Sequence, residues 1–160
     1  MERTKSSWLN PNEKLTDNFR LSEFITTSTG LDNTPKSFHL QFIRAMANLL
    51  QNVRGVLGRP IYINSCYRSP LVNKAVGGSR TSYHLSGCAV DLSIMHLNDE
   101  ERATFARARR FYSPREFIKY DTFWHVAFDF NHLGNRDIPV STIEQDYPEL
   151  REPIIESGDL

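Results

Sequence analysis

Only two cysteines occur in 160 residues, too few for a disulfide framework or a Cys-rich zinc finger. No apolar run approaches 18 residues, which argues against a helical membrane span. Charge of one sign is not in excess, with 19 Lys and Arg against 19 Asp and Glu, so the simplest electrostatic case for a nucleic-acid binder is missing. The opening Met1-Glu2-Arg3-Thr4-Lys5 has no apolar h-region, so a secretory signal is not expected. Repeats and low-complexity stretches are also lacking. What is there suffices for a core: at this length folding buries roughly 68–70% of the unfolded surface without staples. A fraction of 39% hydrophobic and 24% charged residues is ordinary for a globular domain. The expectation is one monomeric domain, made in the cytoplasm, with neither nucleic acid nor membrane as partner.

Charge is uneven along the chain. Residues 137–160 hold Asp137, Glu144, Asp146, Glu149, Glu152, Glu156 and Asp159 against the single base Arg151, which reads as a solvated acidic tail. Residues 1–20 are polar and expected to be loosely ordered, leaving 21–136 as the folded domain. Thr34-Pro35 reads as a cap with proline at the first helical position. Phe38, Phe42, Met46, Leu49, Leu50, Val53 and Leu57 follow at helical spacing, an amphipathic helix of about five turns. Ile61 to Ser65 reads as a strand. Ser69-Pro70 opens a short helix that Gly77-Gly78 ends. Gly87 to Ile94 alternates as a strand. Asn98 caps a further helix, with Glu101 completing a capping box and Arg102, Arg107, Arg109 and Arg110 forming a basic face. Phe117-Ile118 and Phe123 to Phe128 supply further strands. The mixture indicates an α+β domain with a small, mostly antiparallel sheet flanked by helices.

Any one of the five histidines is by itself unremarkable. Three positions together are not. His84 lies in a Ser/Gly-flanked loop seven residues before Asp91, which sits inside a strand, so a loop-plus-strand hairpin aims an imidazole and a carboxylate at one point. His125 stands between Trp124 and Val126, an expensive place for an unpartnered polar ring. Two imidazoles and a carboxylate leave Zn²⁺ a fourth, open position, the catalytic arrangement.

The same residues carry a resemblance. Ser82-x-His84-x-x-Gly87-x-Ala89-x-Asp91, followed by Trp124-His125-Val126, resembles the zinc D-Ala-D-Ala carboxypeptidase family. That family includes the dipeptidase VanX and phage L-alanyl-D-glutamate endolysins, and shares its fold with the Hedgehog signalling domain. Leu21-Ser22-Glu23-Phe24, Asp32-Asn33-Thr34-Pro35, Ser65-x-Tyr67-Arg68-Ser69-Pro70 and Asn73 to Ser79 are similar to phage-type members, so the likeness spans about residues 20–130. It implies the Hedgehog/DD-peptidase fold, with His84, Asp91 and His125 as zinc ligands. It also implies Arg68 as a substrate-contacting arginine and Ser82 as a serine that binds substrate or orders the loop. The activity implied is hydrolysis of a peptide bond in the stem peptide of peptidoglycan, as a DD-carboxypeptidase or an L-alanyl-D-glutamate-type endopeptidase. The setting implied is a bacteriophage endolysin without a separate wall-binding domain, reaching the cell wall at lysis.

One position departs from the family pattern. The general base usually stands three residues before the last histidine ligand, where this chain has Thr122. The nearest acid is Asp121, expected to serve if it lies on a bulge or turn, since in a straight strand it would sit ~13 Å along the chain from His125. Asp129, Glu116 or no acid at all are the alternatives, the last leaving a zinc-binding pseudoenzyme that holds cell-wall peptide or a virion partner without cleaving. A protein acting through its acidic tail is a further alternative. Cys66 and Cys88 read as buried thiols. His39, His96 and His132 read as core or surface histidines, with His132 also able to line a cleft. Tyr67, Tyr83, Tyr120 and Trp124 read as core packing or substrate contacts.

Overall fold

The computed structural model describes residues 8–130. The tail 137–160 and His132 lie outside the described residues. The chain opens on a hairpin of β1 (Lys14–Thr16) and β2 (Phe19–Arg20), followed directly by the short helix α1 (Leu21–Ile25). This hairpin lies in the stretch expected to be loosely ordered. It is held because Phe19 is buried edge-to-face against Phe24 and because Thr16 Oγ1 and Asn18 N donate to Gln51 Oε1.

The long helix α2 (Leu40–Leu57) begins later than Thr34-Pro35 suggests, after a 3-10 turn at Ser37–His39. Lys36 N donates to His39 Nδ1 at 3.0 Å, which caps that turn, while Thr34 is bound instead to Asp32. Phe38 is correspondingly exposed, not a core residue. From Phe42 to Val53 the periodic apolar positions are buried, and Gly58 closes the helix in the left-handed region at φ 71°.

Four strands make the main sheet: β3 (Ile63–Ser65), β4 (Ala89–Ser93), β5 (Glu116–Lys119) and β6 (Phe123–Ala127), in the order β3-β4-β6-β5 with every pair antiparallel. Between them lie α3 (Pro70–Ala75), a second 3-10 turn at Tyr83–Ser86, and α4 (Asp99–Tyr112). The expected caps are present. Ser69 Oγ accepts from Val72 N with Pro70 at the first helical position, and Asn98 and Glu101 exchange side-chain and backbone bonds at 2.8 and 2.9 Å. The basic face of α4 is partly committed: Arg102 donates to the Ile94 carbonyl, and Arg109 lies over the Phe117 ring.

Strand alternation separates two faces. Leu92, Phe117 and Val126 turn towards Leu49, Leu50 and Val53 of α2 and Phe105 and Ala108 of α4. Phe105 stacks on Trp124 at 5.1 Å. Burying side chains of this size stabilises by about 1.5–3 kcal/mol each, so this face fixes how the sheet sits on the helices. The opposite face carries Asp91, His125 and Glu116 among Ala89, Ala127, Ile118 and Phe123. No helix among the described residues is long and apolar enough to cross a membrane.

Candidate metal centre and active site

The register of β4 on β6 sets Asp91 directly opposite His125, a cross-strand pair whose side chains meet on one face. Ser65 of β3 flanks Asp91 on the other side. His84 arrives from the 3-10 turn above β4. That turn is capped by Ser82, whose Oγ accepts from His84 N at 3.1 Å, and it ends at Gly87, φ 85°. A side chain at Gly87 would meet both that positive φ and Ile43 Cγ1 at 3.0 Å, so glycine lets the turn lie against α2.

His84 Nε2 is 3.2 Å and His125 Nδ1 2.8 Å from Asp91 Oδ1, and all three ligand atoms lie within 4.8 Å of one another. The outward nitrogens decide the tautomers. His84 Nδ1 meets the Cys66 carbonyl at 2.6 Å, and His125 Nε2 meets Glu116 Oε1 at 2.8 Å. Both partners only accept, so both outward nitrogens carry protons. A neutral ring then turns a bare lone pair inward, and two lone pairs facing a carboxylate oxygen form a donor set that lacks only a cation. The composition, two nitrogens and one oxygen with an accessible fourth side, fits zinc in its catalytic form. The carbonyl and carboxylate behind the rings are the outer partners that orient metal-binding histidines.

Charge follows this geometry. Burial works against the Asp91 carboxylate. Where a proton on the inward ring nitrogens takes the cation's place, the resulting hydrogen bonds from His125 and His84 outweigh burial and hold the group well below the usual carboxylate range. Burial pulls the His125 pKa down, whereas bonds to Asp91 and Glu116 lift it above 6.5. Arg68 ties the second Asp91 oxygen, with Nη2 3.4 Å from Oδ2, and is itself braced by Ser65 Oγ and Asn73 Oδ1. Burial lowers its pKa and Asp91 partly restores it.

These residues line one cleft of about 360 Å³, with Arg68, Ser82, His84, Asp91, Glu116 and His125 on its walls and Tyr83, Tyr120 and Phe123 beside them. The family model of peptidase M15 matches residues 17–127. The chain belongs to the peptidase M15 family. No curated protein matches it. Membership in M15 points to zinc peptidase chemistry on peptidoglycan peptides, and the α+β fold with its antiparallel sheets agrees with an M15 domain.

The remaining candidates separate in space. Asp121 lies on the turn that joins β5 to β6, closed by Tyr120 N donating to the Phe123 carbonyl at 3.0 Å. It is exposed and is not among the cleft-lining residues, although Tyr120 and Phe123 on either side of it are. Thr122 is exposed beside it. Glu116, named above as an alternative base, lines the cleft together with Asp91. Asp129 follows β6 and contributes to the surroundings of Cys88 instead. Cys66 and Cys88 are buried free thiols. Tyr67 and Trp124 belong to the core, and His39 and His96 serve local turns and contacts.

Glu116 is the residue whose part the sequence leaves least legible. Its only signal is parity with Ile118, which pairs with His125. The contact itself depends on the register of β5 against β6.

Proposed function

We propose that this chain is a zinc peptidase that hydrolyses a peptide bond in the stem peptide of peptidoglycan, acting as a phage-type lytic enzyme on the cell wall. The observation that carries the reading is the convergence of His84 Nε2, Asp91 Oδ1 and His125 Nδ1, each backed by a partner that leaves its donor electrons facing one point. Held by His84, Asp91 and His125, zinc would supply polarisation of the scissile carbonyl and a water whose pKa is lowered towards about 7.

The chain's own residues supply the rest. Arg68, braced on three sides with its guanidinium in the cleft, neutralises a substrate carboxylate or the charge that develops on the carbonyl oxygen. Ser82 orders the loop that carries His84. Glu116 binds the His125 nitrogen opposite the inward one, at the far end of the ring, and so acts as a positioning residue. That leaves Asp121, on the rim turn, as the acid that takes the attacking water's proton and returns it to the leaving amine. Support for this role is the turn itself, flanked by two cleft-lining residues.

Digestion of purified muropeptides followed by mass spectrometry tests the proposal and names the bond. New termini at one stem-peptide bond, absent with His125→Ala, are expected. Stoichiometric zinc with intact muropeptides would assign binding without turnover, the reading that Thr122 at the usual base position favours.

A further inference from the structure

Beside the cleft runs a second groove of about 530 Å³, lined by Pro70, Asn73, Lys74, Gly77, Gly78, Arg80 and Leu85. One wall is common to both. Asn73 accepts from Arg68 Nη1 at 3.2 Å and donates Nδ2–H to the Ser79 carbonyl at 2.9 Å. Ser79 and Thr81 face the cleft, whereas Arg80 between them lines the groove. The loop lies this close because residue 78 is glycine: a Cβ there would overlap the Asn73 amide and reach 3.0 Å from Arg68 Nη1.

The groove carries two cations and no acid on its walls. Lys74 and Arg80 are exposed, and among the described residues neither has an ion-pair partner. A lysine offers a compact charge and an arginine a fork that matches a carboxylate. Resting on the peptidase reading, we propose that this groove is a substrate subsite that binds a free carboxylate of the stem peptide away from the scissile bond. In stem peptides that carboxylate is the α-carboxyl of a γ-linked D-glutamyl residue or the free carboxyl of a diamino acid. Amidation of either group, a common alternative chemistry, removes the charge the groove reads. The subsite thus makes the enzyme selective for non-amidated wall peptide.

The test compares stem peptides that differ only in amidation, each carboxyl amidated in turn, with wild type, Lys74→Gln, Arg80→Gln and the double variant. Two readouts are taken: kcat/KM on the zinc-loaded chain, and the Kd of uncleaved peptide on the metal-stripped chain. One charge-assisted contact corresponds to roughly 10-fold in either quantity. The expected result is a preference of that size for one free carboxylate in wild type, weaker at high salt and abolished in the double variant. The amidated peptide should be cut equally by both proteins. Which amidation matters identifies the carboxylate. Equal Kd and equal kcat/KM for free and amidated peptides in wild type would overturn the subsite while leaving the peptidase intact. A Kd preference that the double variant loses, without cleavage of any peptide, would uphold the groove and refute the peptidase reading.

Discussion

Replacing Glu116 by Gln removes a charge and keeps the shape of the contact at His125 Nε2. The amide oxygen still accepts the ring proton that Glu116 Oε1 now receives at 2.8 Å, so the ring stays turned with Nδ1 inward. Glu116→Ala removes the acceptor as well. Loss of an outer partner of this kind costs roughly 10- to 100-fold in metal affinity, about 1.4–2.7 kcal/mol. The Glu116 side chain is 42% exposed, so solvent screens its charge. Gln therefore belongs near the lower end of that range and Ala near the upper.

Competition titration of zinc against a chromophoric chelator measures the effect directly, and its pH dependence carries a second sign. His125 has its pKa lifted above 6.5 by Asp91 and Glu116 against the pull of burial. A proton therefore competes for the ring, and zinc affinity falls as pH drops through that raised value. Glu116→Gln removes one of the lifting causes, so its competition sets in at lower pH. The gap between wild type and variant should then narrow on acidification. Unchanged zinc affinity in both variants would refute the positioning role. Full zinc affinity with a collapsed kcat would instead move Glu116 into proton transfer.

Other outcomes follow from the same geometry. Asp121→Asn is expected to lower kcat by about 10² to 10⁴ with one zinc retained, measured by hydrolysis kinetics and metal analysis; wild-type turnover would remove Asp121 from the mechanism. Gly78→Ala forces a methyl into the Asn73 amide and should cost about 1–3 kcal/mol in chemical denaturation, whereas an unshifted midpoint would mean the loop has room. Burial pushes the Cys88 thiol up to about 11 and Cys66 well above its ordinary value. Both should resist thiol reagents at pH 8 in the native chain and react on unfolding; fast native labelling would contradict their placement.

Much of the site was legible because spacing and strand parity decide it. His84 and Asp91 sit on a turn and the strand after it, and His125 shares a face with Asp91 once β4 and β6 pair antiparallel. Local chemistry likewise announced the caps at Ser69 and Asn98. What stayed hidden depends on tertiary partners. Phe19 reads as an isolated aromatic in a polar stretch until Phe24 covers it. Thr34-Pro35 looks like a helix start until His39 caps a 3-10 turn three residues further on. Glu116 acquires its role only through the register of β5 on β6, which no short-range pattern specifies. The second groove was equally out of reach, since Lys74 and Arg80 converge through a loop whose path Gly78 and Asn73 set.

The most direct measurement titrates zinc into the metal-stripped chain while hydrolysis of a stem peptide is followed by mass spectrometry. Cleavage of a single bond that rises from zero and levels off at one zinc per chain, with His125→Ala neither binding nor cleaving, is the predicted result. Hydrolysis indifferent to zinc, or one tightly bound zinc with every stem-peptide bond left intact, would contradict the assignment of His84, Asp91 and His125 to a catalytic centre.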